Sequence, residues 1–339
     1  MTLATTRRDP TPRLPGAWPA PQDVPQDACP GRVLEAAVEW RVHLGAHKTA
    51  TSHLQATLRA LRGRIALEAG VDCLGPHEAR KVLGGQLARR HWRYHLRGRL
   101  LRDSLEAALG ARRLGPGRIV LSEENILGLT PDLLAARPYP RLEARVRAVA
   151  ALGIDRRLVL FVSLRDFGEV LGGAYATALL MHRTPRERLD AAIARARRAP
   201  PSWVPVLDRI RRAAPGVPLR AWRQEDYRDH AAEMAAALVG APVAPLVAAL
   251  PPLPAQAGNR TPSAESVARI EALSRRLPRR LPIARWRLEA AAARDAEGEP
   301  FRPLDAGLRE ALAARYRADQ EEIEARWPGT LVRPGEAAP

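Results

Sequence analysis

The residues best suited to chemistry lie in one run, Val42-His43-Leu44-Gly45-Ala46-His47-Lys48-Thr49-Ala50-Thr51-Ser52-His53-Leu54-Gln55. An apolar, strand-like segment ends at Gly45. A short loop then carries Lys48 among the hydroxyl residues Thr49, Thr51 and Ser52, and an amphipathic pattern begins at once. Strand, loop and helix in that order build an anion site. The first N–H groups of a helix have no intrahelical acceptor, and the helix dipole adds partial positive charge at the same end. Lys48 contributes a mobile point charge, and the hydroxyls offer hydrogen bonds to phosphate-type oxygens. The lysine is itself a signal: of 54 basic side chains only Lys48 and Lys81 are lysine. In a chain whose cations are otherwise planar guanidinium groups, a compact ammonium in the centre of such a turn marks a function. The plainer alternative is an ordinary capped helix start.

Two further groups of polar residues follow apolar runs. The stretch Arg118-Ile119-Val120-Leu121-Ser122-Glu123-Glu124-Asn125 reads as a buried strand ending in acidic residues, and Arg157–Leu164 as a parallel-type strand followed by Arg165-Asp166. In open α/β sheets ligands sit beyond the C-terminal ends of the strands. Glu123 and Glu124 are therefore candidate general bases, and Arg165 is a candidate anion ligand. Alternatively the acidic stretch caps the next helix, with Ser122 and Asn125 as good capping residues. His47 is a second candidate base, because the like charge of Lys48 opposes its protonation; otherwise it bonds a backbone carbonyl and shapes the loop. The histidines lack paired ligand spacing, so no metal is expected.

These residues need a parallel sheet behind them, and the patterning supplies one. Strands are predicted over Glu39–Leu44, Val71–Leu74, Arg118–Asn125, Arg157–Leu164 and Val217–Trp222. Helices are predicted between them: after the loop to about Gly70, with Leu54, Leu58, Leu61 and Ile65 on one face, then 77–114, 131–153, 166–181, 185–199, 202–213 and 228–239. A Pro-rich link covers 242–262, a capped helix Ser263–Leu277, and a long helix Asp305–Arg326. Strands alternating with helices mean an α/β fold with a mostly parallel sheet. Residues 1–36 hold seven prolines and read as a disordered arm, 37–330 as one domain, and 331–339 as a tail.

Composition narrows the class further. A net charge of +17 suggests anionic partners, yet arginine is inflated everywhere and no nucleic-acid-binding signature is present, so specific nucleic-acid recognition is not expected. Cys29 and Cys73 are the only cysteines, and Cys29 falls in the arm, so a reducing, cytoplasmic setting is expected. No window approaches the roughly 20 apolar residues of a membrane span. Peripheral membrane contact through charge stays open. The basic segment 77–114, with His91, Trp92, Tyr94 and His95, reads as a solvated helix or as a wall beside an anionic substrate.

The loop Gly45-Ala46-His47-Lys48-Thr49-Ala50-Thr51-Ser52 resembles the phosphosulfate-binding loop of the bacterial sulfotransferase family, which reads Lys-Thr-Gly-Thr-Thr or Lys-Thr-Ala-Thr-Thr after Gly-x-His. It lacks the second glycine of a P-loop kinase. Ile119–Asn125 resembles the family's strand ending in Ser-x-Glu-Asn. Val159–Asp166 resembles the strand that leads to the arginine binding the donor's 3′-phosphate. Asn259-Arg260-Thr261-Pro262-Ser263 and Leu312, Tyr316 and Asp319 resemble its C-terminal half. The resemblance implies a P-loop-like, three-layer α/β/α fold. It also implies transfer of a sulfuryl group from 3′-phosphoadenosine 5′-phosphosulfate (PAPS) to a hydroxyl or amine of a glycan, lipid or small molecule. Lys48 would act on the leaving phosphate, with Gly45, Thr49, Ala50, Thr51 and Ser52 around it and Arg165 on the 3′-phosphate. One position departs from the pattern: Gly173 stands where the family has a serine, and the next serine or threonine on that helix is Thr177. A nucleotide-dependent phosphotransferase using Glu123, Glu124 or Asp166 for Mg²⁺, and a non-catalytic binder of anionic nucleotides or glycans, are the alternatives.

Overall fold

Five strands pair in the order β2-β3-β1-β4-β5, every neighbouring pair parallel: β1 (Glu39–His43), β2 (Val71–Leu74), β3 (Arg118–Ser122), β4 (Arg157–Leu164) and β5 (Leu219–Arg223). The structure is a computed structural model that describes residues 38–80, 117–151, 157–251, 261–294 and 298–335. The expected N-terminal arm with Cys29, all but the start of the basic helix 77–114, and Asn259 and Arg260 lie outside the described residues.

Both faces of the sheet are covered, so strand side chains are buried on both, including the polar Arg41 and His43 of β1. Side chains alternate along each strand. Trp40, Val42 and Leu44 therefore share one core cluster with Ile119, Leu121, Leu158, Leu160, Val162, Leu219 and Ala221. Val71, Cys73, Val120, Phe161 and Trp222 point the other way into a second cluster.

Helices complete the two outer layers. In chain order they are α1 (Thr51–Ala60), α2 (Arg62–Ala69), α3 (Leu142–Ala150), α4 (Phe167–His182), α5 (Arg186–Arg198), α6 (Val204–Ala213), α7 (Gln224–Asp229), α8 (Ala231–Val239), α9 (Ala244–Ala248), α10 (Ala264–Arg276), α11 (Ile283–Ala292) and α12 (Ala306–Arg326). The larger cluster takes α3 to α6 and α10 to α12; the smaller takes α1, α2, α7, α8 and α9. The result is a three-layer α/β/α fold. Leu54, Leu58, Leu61 and Ile65 are buried in the smaller cluster, as their spacing predicts, each worth roughly 1.5–3 kcal/mol of burial.

Several element boundaries differ from expectation. The helix after the loop is two helices, broken where Leu61 adopts φ −98°, ψ 3°. The predicted helix 131–153 begins as a 3₁₀ turn, Thr130–Leu134, and becomes α-helical only at Leu142, because Pro138 and Pro140 bar the preceding residues from helical backbone. The strand expected to reach Asn125 stops at Ser122, and Glu124–Ile126 is a 3₁₀ turn. Beyond residue 330, Leu331 bridges Ala221 and Val332 N–H bonds the Ala221 carbonyl at 2.7 Å, so the packed chain continues past β5.

Candidate functional site

Chain order and sheet order meet at β1. The chain fills β1, β2 and β3 on one side, then crosses to β4 and β5 on the other, so the crevice beyond the C-terminal ends of β1 and β4 is the topological switch point. The loop 45–50 lies there. Leu44 N–H bonds the Phe161 carbonyl at 2.8 Å, and Arg165 Nη1, one residue past β4, donates to the Lys48 carbonyl at 2.8 Å. The switch point therefore brings Lys48 and Arg165 together although they are 117 residues apart.

The loop turns by three left-handed residues: Gly45 at φ 72°, Lys48 at φ 69° and Ala50 at φ 61°. At Gly45 a Cβ would come within 2.6 Å of the Glu124 Cα, so only glycine fits. Ala50 is the N-cap of α1 and makes no side-chain cap bond. His47 N–H bonds the Tyr139 hydroxyl at 3.1 Å, and His53 N–H returns to the Ala50 carbonyl at 2.9 Å. Between them, the N–H groups of residues 48 to 52 have no acceptor among the described residues. A helix entry with free amides is a cradle for oxyanions.

The hydroxyls take a different part from the one expected. Thr49 Oγ1 donates to the Ala46 carbonyl at 2.7 Å, Thr51 Oγ1 donates to the same carbonyl at 3.2 Å, and the two oxygens lie 3.3 Å apart. Both side chains are buried. They tie the loop closed by bonding its own carbonyl. Ser52 is exposed.

Lys48 is half-buried, and Nζ donates to Thr177 Oγ1 on α4 at 3.2 Å. Among the described residues no carboxylate pairs with it. Burial first, then the charges of Arg165 and Arg294, push the Lys48 ammonium down to about 8. Among the described residues Arg165 has one ion-pair partner, the exposed Glu169 at 3.6 Å, and its buried Nε has no hydrogen-bond partner. Gathering cations around a lysine that no carboxylate faces is costly unless an anion joins them. The site fits a phosphate- or sulfate-type group with more than one negative charge.

Gly173 explains how Lys48 reaches Thr177. A Cβ there would meet Lys48 Cε at 2.8 Å and Thr261 Oγ1 at 3.3 Å. The space of the missing side chain is occupied by the lysine stem, with a threonine hydroxyl alongside. Gly172 next to it lets the chain around Pro303 approach, a Cβ there standing 2.7 Å from Pro303 Cδ.

The three candidate bases are unequal. Glu123 is fully buried and caps the 3₁₀ turn: Oε1 accepts from Asn125 N–H at 2.9 Å and Nδ2 at 2.6 Å, and Arg80 Nε pairs with Oε2 at 2.8 Å. Burial and the neighbouring Glu124 raise its pKa, with Arg80 opposing. Glu124 lies over Gly45 and keeps some exposure; Arg80 Nη2 and Gln55 Nε2 each bond it at 2.9 Å. His47 is buried, with Nδ1 3.2 Å from the Tyr139 hydroxyl and Nε2 3.4 Å from Asn125 Oδ1. Asn125 gives its amide to Glu123, which leaves Oδ1 to accept from His47 Nε2–H, and Nδ1 then accepts from Tyr139. Burial drives the His47 pKa down to about 4, and Lys48 is the smallest contributor. At that value the ring is neutral at pH 7, and both of its nitrogens already have partners. Asp166 caps α4 through Gly168 N–H at 2.8 Å. No group of three or more metal-ligating side chains occurs among the described residues.

Tyr139, Thr177, Thr261 and Arg294 are the site residues that sequence reasoning did not assign. A separate groove of about 470 Å³, lined by Ser202, Asp208, Arg315, Glu322 and Arg326, holds balanced charge and none of the loop residues. No helix among the described residues is long and apolar enough to cross a membrane.

Fold and site together define an α/β protein with an anion-binding loop at the switch point of a parallel sheet. Compared with protein-family models, curated proteins and solved structures, the chain matches none.

Proposed function

We propose that this protein is a sulfotransferase-like enzyme that moves a sulfuryl group from PAPS to a hydroxyl or amine acceptor, a glycan, lipid or small molecule. The observation that supports it is the pairing of the loop's free amides with Lys48 and Arg165 at the switch point. The donor supplies a sulfur–oxygen bond whose leaving group is a phosphate. The amides of residues 48 to 52 hold that phosphate, and Lys48 neutralises the charge that grows on it, a positioning and electrostatic role. Arg165 takes the donor's second phosphate, with Thr177 and Thr261 offering hydroxyls around Gly173. Glu124, the candidate base that keeps exposure, takes the acceptor's proton.

Gly173 favours one competing reading, a relative that binds the same anion without transferring sulfate, because Lys48 occupies the place of the family's serine. Binding of the product without sulfate transfer across a broad acceptor panel selects it. The deciding experiment is calorimetric titration with adenosine 3′,5′-bisphosphate of the wild type, Lys48→Ala and Arg165→Ala. Each substitution weakens binding by roughly one to two decades, the value of a hydrogen bond to a charged group. A wild type that does not bind the bisphosphate removes the proposal.

A further inference from the structure

Tyr139 combines features that ordinary core packing does not require. It is fully buried, yet its backbone sits at φ 54°, a left-handed conformation rare for an aromatic residue. Such strain costs roughly 1–3 kcal/mol and persists only where the surroundings over-determine it. Here they do. Tyr139 N–H bonds the Asp132 carbonyl at 3.1 Å, and its own carbonyl accepts from Leu142 N–H at 3.0 Å and from Arg209 Nη2. Arg209 Nη1 donates to the Pro138 carbonyl at 2.6 Å. Glu143 holds the guanidinium in place, at 2.8 Å from Nε and 2.9 Å from Nη2. Gly128 makes room for the ring, since a Cβ there would stand 2.8 Å from Tyr139 Cδ1.

All this bracing aims one hydroxyl at one loop residue. The Tyr139 oxygen accepts from His47 N–H at 3.1 Å and lies 3.2 Å from His47 Nδ1, with the rings stacked at 5.9 Å. One oxygen thus fixes both the backbone and the ring of the residue just before Lys48. A phenylalanine would pack the same cavity without doing either.

We propose that Tyr139, braced by Arg209, is the positioning residue of the anion loop: its hydroxyl fixes His47 so that the N–H groups of residues 48 to 52 stay turned towards the ligand. The inference rests on reading 45–52 as a ligand loop. Tyr139 touches neither ligand nor reacting atoms; it acts through His47.

The test is Tyr139→Phe in the full chain. Amide hydrogen exchange at His47 and His53, the loop N–H groups bonded to the Tyr139 hydroxyl and the Ala50 carbonyl, rises about tenfold or more while β1 and β4 exchange at the wild-type rate. In ¹⁵N-histidine spectra, His47 is the Nε2–H tautomer in the wild type and loses that preference in the variant. Affinity for adenosine 3′,5′-bisphosphate drops about tenfold. Arg209→Lys, which keeps a cation but loses the two-pronged grip, shifts the same signals in the same direction. Unchanged exchange and an unchanged His47 spectrum in Tyr139→Phe overturn the proposal. If that variant does not fold, an unmoved loop in Arg209→Lys overturns it. Exchange and tautomer need no ligand, so they decide the positioning role even where the wild type binds no bisphosphate, which defeats only the proposed function.

Discussion

Lys48→Met should make the protein more stable. Lys48 ionises at about 8 in the fold against a reference of 10.5, so the unfolded chain holds that proton more tightly. Below pH 8 both states carry the proton and the folded state bears the full penalty; between pH 8 and 10.5 the folded lysine is neutral and the penalty fades; above 10.5 it is gone. At pH 7 linkage makes it ~3 kcal/mol, at pH 9 ~2 kcal/mol, and at pH 11 close to zero. These are upper figures, since the side chain is only half-buried and keeps a hydrogen bond to Thr177 at 3.2 Å. Methionine has nearly the length of the lysine stem and carries the same backbone at φ 69°, so packing and strain largely cancel in the comparison. Urea unfolding of both proteins at pH 7, 9 and 10.5 measures the difference. The expectation is a variant more stable by about 1–3 kcal/mol at pH 7, with the gap closing as pH rises. A gap that is independent of pH, or a variant less stable at pH 7, refutes the idea that Lys48 is held as an uncompensated cation.

Two further outcomes follow from the same geometry. Gly173→Ser raises affinity for adenosine 3′,5′-bisphosphate by roughly tenfold in calorimetry, the value of one added hydrogen bond to a charged group. Gly173→Ala meets Lys48 Cε at the same 2.8 Å and brings no hydroxyl, so it leaves affinity unimproved; equal gains in both exclude the hydroxyl as the cause. Asp319→Ala removes a buried acceptor that binds Ser202 Oγ at 2.6 Å, Trp203 N–H at 2.7 Å and Arg315 Nε at 2.8 Å. Denaturant unfolding should show a loss of roughly 3 kcal/mol. Bisphosphate binding weakens with it, because Trp203 Nε1 holds the Arg165 carbonyl at 2.7 Å.

The parallel sheet was legible because each strand is a short apolar run with a local signal, and β2 and β4 fall where their residues place them. The break before α3 was also written in the chain: Pro138 and Pro140 on either side of Tyr139 disfavour helix there. The break at His230 between α7 and α8, where the backbone turns to φ −129°, ψ 41°, carries no proline or glycine that would mark it in the sequence. Two helices were not expected: α9 lies in the Pro-rich link 242–262, with Pro245 in its first turn, and α11 follows Pro278 and starts after Pro282 at its N-cap position. In the site, the loop was readable because it is contiguous. Tyr139 and Thr177 were not, since they reach His47 and Lys48 across 92 and 129 residues and no local pattern records such a meeting. The hydroxyls of Thr49 and Thr51 were read as ligand groups because spacing shows that they are near the helix entry, not which way they turn.

Ala50 has a consequence for how fast a ligand is captured. A glycine at φ 61° would sit there without strain but would leave the free loop many more conformations to give up. Alanine accepts a small steric cost in exchange for a narrower ensemble before any ligand arrives. With Lys48 also left-handed, and with the Thr49 and Thr51 hydroxyls closing on the Ala46 carbonyl, the cradle exists in advance. Capture is then a matter of encounter, steered by the cations at its mouth and slowed by added salt, with little time spent waiting for the loop to form.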